Sequence, residues 1–211
     1  MKSVDIQVYD TIYPSPLKEH LGESAPKRVN GLGNLGILEG KALGFFCSQK
    51  CPGDLILKTY DLAQEIRHAG MIVIGGFHSP MERQCLGILL RWTQPVIICP
   101  ARSIKNMRIA SEHKQAIKEG RLLFMSPFQE NQRRISVKTS QFRNLFVAAL
   151  SEQVFVAHAE PGGKTEKLCR DILSWKKPIY TFESHYNKNL IHMGAQAIGT
   201  SGSDLVEILG A

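Results

Sequence analysis

From Ala42 onward, short apolar runs alternate with longer stretches that are apolar on one side only. Leu43 to Cys47 reads as a strand, Asp54 to Ala69 as a helix, and Met71 to Ile74 as a strand ending in Gly75-Gly76. A helix from Pro80 to Trp92, a strand from Val96 to Cys99, a helix from about Met107 to Glu119 and a strand from Leu122 to Met125 follow. After a polar loop, Phe142-Arg143-Asn144 opens a helix whose buried part is Leu145 to Leu150. Val154 to Ala157 suits a central strand, and Glu160-Pro161-Gly162-Gly163-Lys164-Thr165 carries it into another helix. Ile179 to Phe182 is the last expected strand, with helices near Asn187 to Met193 and Ser203 to Leu209. Continuous apolar runs bounded by turn residues fit strands buried on both faces, and parallel neighbours need helical crossovers. The pattern predicts an α/β fold: a Rossmann-like, doubly wound, mostly parallel sheet with helices on both faces.

The first forty residues differ. They are rich in turn formers, among them Tyr13-Pro14-Ser15-Pro16, Pro26 and four glycines from Gly31 to Gly40. One short strand from Val4 to Tyr9 is expected in an otherwise extended lead-in. Gly31-Leu32-Gly33-Asn34-Leu35-Gly36 has phosphate-loop spacing but neither follows a strong strand nor opens a helix, so it reads as linker. The expected organisation is therefore an N-terminal extension over 1–40 and one domain over 41–211.

Composition narrows the class. A 211-residue chain with 43% hydrophobic and 21% charged residues can bury one good core. No run reaches the roughly 18 apolar residues of a membrane helix, and the N-terminus lacks a signal-peptide pattern, so a cytoplasmic protein without membrane association is expected. Five cysteines at scattered positions read as reduced thiols. Cys47 and Cys51 lack a second pair at zinc spacing, so neither a metal site nor a cofactor is expected.

Charge placement points to a ligand class. The net charge is +7, and the segment from Ala101 to Asn144 carries the whole excess, with ten cations against Glu112, Glu119 and Glu130. Such a local field suits a polyanion. The loops after successive strands meet at one edge of a parallel sheet, where glycines and helix N-termini receive anions. Candidate phosphate contacts are Ser48; Gly75, Gly76 and Ser79; Arg102, Lys105 and Arg108; Arg143 and Asn144; and Gly162, Gly163, Lys164 and Thr165. Phe128 and Phe142 are the aromatics nearest this charge. His78 and His158 are available as acids or bases, but no motif sets a carboxylate beside them, and no catalytic residue is assigned.

Phe142-Arg143-Asn144-x-x-Val147-Ala148-Ala149-Leu150-Ser151 is similar to the F-x-x-R-N-R-I-I-A-G-L-S signature of the DNA-processing protein A family (DprA, also called Smf). Gly75 to Glu82 stands where that family has S-G-x-A-x-G-I-D, and Asn189-Leu190-Ile191-His192-Met193-Gly194-Ala195 matches its N-x-L-I-x-x-G-A. The chain resembles this family over roughly 13–198. Cys47-Ser48-Gln49 replaces the family's G-S-R triplet, and Leu145 replaces the second signature arginine. Pro161 to Glu166 leans toward the P-G-G-x-G-T-x-x-E motif of the Lonely Guy phosphoribohydrolases, members of the same superfamily. The resemblance implies binding of single-stranded DNA in DNA processing or recombination, with a RecA-type recombinase as partner and self-association as a homodimer. The open alternative is a nucleotide sensor or a phosphoribohydrolase-like enzyme using the same pocket.

Overall fold

In a computed structural model, which describes residues 3–199 and 206, one nine-stranded sheet organises the chain. The strands are β1 (Val4–Gln7), β2 (Arg28–Gly33), β3 (Ala42–Phe46), β4 (Ile72–Gly75), β5 (Val96–Ile98), β6 (Leu122–Ser126), β7 (Gln153–Val156), β8 (Ile179–Phe182) and β9 (Gln196–Ile198). The helices are α1 (Ser15–Leu21), α2 (Gly53–His68), α3 (Pro80–Leu89), α4 (Ser111–Lys118), α5 (Val137–Leu150), α6 (Lys164–Ser174) and α7 (Lys188–His192). The spatial order is β1-β2-β6-β5-β4-β3-β7-β8-β9. The strands from β6 across to β9 are parallel to their neighbours, while β1 and β2 add an antiparallel edge.

Alternation along the strands builds two cores. On β6, Leu122 and Phe124 face one side and Leu123 and Met125 the other; on β7, Phe155 opposes Val154 and Val156. One face is covered by α2, α3 and α4 through Leu55, Leu62, Cys85 and Ala116. The other is covered by α1, α5, α6 and α7 through Leu17, Phe146, Leu168 and Leu190. The expected doubly wound architecture is thus present.

The expected elements from Leu43 to Phe182 are found with small shifts at their ends. The largest concerns α5, which begins at Val137 rather than at Phe142, because Ser136 and Thr139 form a reciprocal capping box that starts the helix earlier. At its far end, Lys177 Nζ donates to the carbonyls of Ala148, Ala149 and Ser151 at 2.6, 3.1 and 2.5 Å. A buried ammonium thereby satisfies the carbonyls that a helix C-terminus leaves unpaired.

Differences concentrate in the first forty residues and near the end. The Tyr13-to-Pro16 run expected as extended chain leads directly into α1, with proline at the tolerated first positions of the helix. Arg28 to Gly33, expected as loop, is a full strand paired on both sides by β1 and β6. Gly33, at φ 122°, approaches the Leu122 carbonyl so closely that no side chain fits there. The spaced glycines therefore serve close strand packing, not a phosphate. Strand β9 was not anticipated, and the helix expected over Ser203 to Leu209 lies outside the described residues apart from residue 206.

Candidate functional site

The strand order reverses between β3 and β7: successive strands step one way through β4, β5 and β6, and the other way through β8 and β9. Loops leaving the carboxyl ends of β3 and β7 diverge at such a point and open a crevice. A cleft of about 740 Å³ lies there. Cys47 and Gln49 beyond β3, His78, Ser79 and Glu82 beyond β4, the start of α5 and the start of α6 form its walls.

Arg143 is the deepest cation, 4% exposed. Its Nη1 donates to the Cys99 carbonyl at 2.9 Å and its Nε to Asn144 Oδ1 at 2.8 Å. The guanidinium lies on the backbone of Gly76, where any Cβ would overlap it. Burial works against the Arg143 charge and the nearby Glu82 carboxylate works for it; a guanidinium stays protonated under either influence.

Both glycine loops already hold a carboxylate. Glu82 accepts from the backbone N–H of Cys47 at 3.0 Å, His78 at 2.7 Å and Ser79 at 3.3 Å, while the Ser79 hydroxyl accepts from Glu82 N at 3.2 Å. Ser79 is thus the cap of α3. Phe77, at φ 46°, takes the left-handed turn that brings these donors together. On the other side, Glu166 accepts from Gly162 N and pairs with Arg170 at 2.5 Å. Among the donors expected to meet a phosphate, the Ser79 and Gly162 N–H groups are thus held by the protein's own acids, and the Gly163 N–H by the Glu160 carbonyl. Charge for a ligand comes instead from side chains: Arg143, Lys164 and Lys167 line the cleft, accompanied by Thr165 and Asn144 and opposed by Asp171.

The other candidate residues are placed as follows. Ser48 is buried, and its hydroxyl accepts from Glu160 N at 3.0 Å, tying the β3 and β7 loops together. Gly75 ends β4 and its carbonyl accepts from Cys99 N. Gly162 takes a left-handed turn at φ 72°, and Gly163 caps α6. Arg102 is exposed and does not line the cleft. Lys105 and Arg108 lie in a second groove of about 550 Å³ with Lys114 and Lys118; there Lys105 pairs with Glu130 and Asp5. Phe128 and Phe142 pack against each other, ring centroids 6.0 Å apart. His78 reaches the cleft, whereas buried His158 is tied to Asn187 Oδ1 at 3.1 Å.

Lys167 was not singled out by sequence, and Glu82, weighed only with His78 and Ser79 as a catalytic grouping, was not read as a cap. A cue for each was present: Lys167 stands three residues from Lys164, hence on the same helix face, and Ser79-Pro80-Met81-Glu82 has capping-box spacing. Cys47, also on the cleft wall, is one of five free thiols. A hydrogen bond between the Cys47 and Cys51 thiols raises the first and lowers the second. Among the described residues, no group of acids, histidines and cysteines is arranged to hold a metal, and no helix is long and apolar enough to cross a membrane.

The fold is an open α/β sheet whose switch point carries a cleft lined by Arg143, Lys164 and Lys167, the place where open α/β sheets bind their ligands. The sequence profile of the DNA recombination-mediator protein A family matches residues 5–210, and the chain belongs to that family of DNA-processing proteins. No curated protein sequence matches it. Its fold is similar to that of DNA processing protein A from Streptococcus pneumoniae, with a TM-score of 0.81 and 18% identity over 98% of this chain and 74% of that one. The Helicobacter pylori DNA processing protein A, described as having a unique single-stranded DNA binding mode, gives 0.79 and 16% over 99% and 96%. A molybdenum cofactor carrier protein from Chlamydomonas reinhardtii is a more distant neighbour in fold, at 0.56 and 11% over 81% and 97%.

Proposed function

We propose that the switch-point cleft binds single-stranded DNA by its phosphates. The observation that carries this reading is the convergence of Arg143, Lys164 and Lys167 on one cleft, beside a lip on which Arg133, Arg134 and Lys138 are exposed. Asn144 and Thr165 supply the neutral polar contacts. Membership of a DNA-processing family and the single-stranded DNA described for the Helicobacter pylori neighbour support it. In this reading the protein works in the cytoplasm, as a homodimer, with a RecA-type recombinase as its protein partner.

The test is the salt dependence of binding to a labelled 20-nucleotide strand. Four phosphate contacts on a single strand predict a roughly 50-fold loss of affinity between 50 and 200 mM salt. Nucleoside monophosphate binding to the cleft without any oligonucleotide shift would instead favour a nucleotide site.

A further inference from the structure

The amino-terminal edge of the sheet, opposite the cleft, carries a second concentration of cationic and aromatic groups. Trp92, just before β5, is 49% exposed. The Arg67 guanidinium at the end of α2 lies 5.6 Å from its ring centroid, and the His68 ring packs edge-on at 5.7 Å. Two shallow hollows flank it. One, of about 460 Å³, is lined by Arg91, Trp92, Thr93, Glu119 and Arg121. The other, of about 600 Å³, includes Arg67, Arg91, Tyr60, Gln64 and Gln84. Glu119, the single carboxylate lining either hollow among the described residues, is held by Arg121 Nε at 2.6 Å. Arg121 Nη1 also donates to the Leu90 carbonyl at 3.0 Å and so fixes the turn that presents Trp92.

From this arrangement we infer that the Trp92 edge is a second contact surface for single-stranded nucleic acid. An exposed indole gives an unpaired base a face to stack on, neighbouring guanidinium groups meet the phosphates on either side, and free carboxamides suit base edges. Among the described residues, the walls of the cleft at the carboxyl edge carry no Phe, Tyr or Trp, so the two edges supply complementary contacts. An acidic peptide would be drawn by the arginines alone and would leave the indole and the amides without a partner. The inference rests on the proposed DNA-binding function but uses none of the cleft residues. The sixteen residues of α2 separate the edges by roughly 24 Å. A strand that keeps its bases stacked, at ~3.4 Å per nucleotide, must exceed about seven nucleotides to touch both.

The experiment uses the full chain carrying Trp175→Phe, so that tryptophan emission reports Trp92. A labelled oligo-dT of twenty nucleotides is titrated at low salt while anisotropy and emission are followed together. Both signals are expected to change along one isotherm. Trp92→Ala is expected to weaken the 20-mer roughly tenfold, the loss of one stacked base, and Arg91→Ala several-fold. A labelled pentamer is expected to lose binding with Arg143→Ala and to keep it with Trp92→Ala. Rising anisotropy with unchanged Trp92 emission overturns the inference and leaves the cleft reading standing, as does equal quenching by polyglutamate of matched charge. Absence of binding by any oligonucleotide overturns both.

Discussion

The loops after β4 and β7 look alike in sequence: each leads from a buried strand through a glycine pair into a helix bearing a glutamate in its first turn. They use the glycines differently. Gly76 is bare because the Arg143 guanidinium occupies the space of its missing side chain, whereas nothing lies within 4 Å of a Cβ built on Gly162. Gly162 is required by its backbone angle, φ 72°. The glutamates diverge as well: Glu82 gathers three backbone donors from two loops, and Glu166 takes one and pairs with an arginine. A glycine pair at a strand end therefore marks either room for a side chain or a turn. Only the β4 loop is built around Arg143.

Substitutions in and beside the two loops would break or sharpen this contrast. Glu82→Ala removes the charged acceptor of three backbone N–H groups and is expected to cost about 3–5 kcal/mol in urea unfolding, the usual cost of deleting one partner of a buried charged interaction and leaving the other unpaired. A cost below that of Glu166→Ala would reverse the ranking of the two loops. Gly76→Ala is expected to cost about 1–3 kcal/mol through overpacking and to abolish oligonucleotide binding as fully as Arg143→Ala does. Retained binding would show that Arg143 need not rest on that backbone. Gly162→Ala pays only for a left-handed alanine, about 1 kcal/mol, with affinity for DNA retained. The smallest expected effect on folding is that of Lys164→Ala: an unchanged melting temperature, with a salt slope shallower by roughly 0.7. The same change at Lys105, in the separate groove, is expected to leave the slope for a pentamer unchanged.

Much of the fold was legible because the central strands are buried on both sides and must be apolar throughout. Leu43, Phe45, Val73, Val96, Leu122 and Phe155 fill one core, and their neighbours in sequence fill the other. Strand β2 escaped because Arg-Val-Asn-Gly-Leu-Gly has no clear period; pairing by β1 and β6 makes it a strand. Edge strand β9 is short, with two of its three residues exposed, and carries little apolar signal.

For the site, Arg143, Asn144, Lys164, Thr165 and Ser79 were identified and do line one cleft. The basic excess between Ala101 and Asn144 looked like a single field. In three dimensions it divides among the cleft, the Lys105 groove and the Trp92 edge. Charge summed along a chain does not report where helices point it.

By itself the sequence determined the alternation of strands and helices, the two-sided core and the glycines of the loops after β4 and β7, because burial and backbone geometry act on near neighbours. Only the tertiary structure decided that Glu82 and Glu166 take the Ser79 and Gly162 N–H groups in the loops expected to meet phosphate, that Gly76 makes room for Arg143, and that Trp92 lies opposite the cleft. Those outcomes depend on contacts between residues far apart in the chain, where one group's partner is fixed by the packing of others.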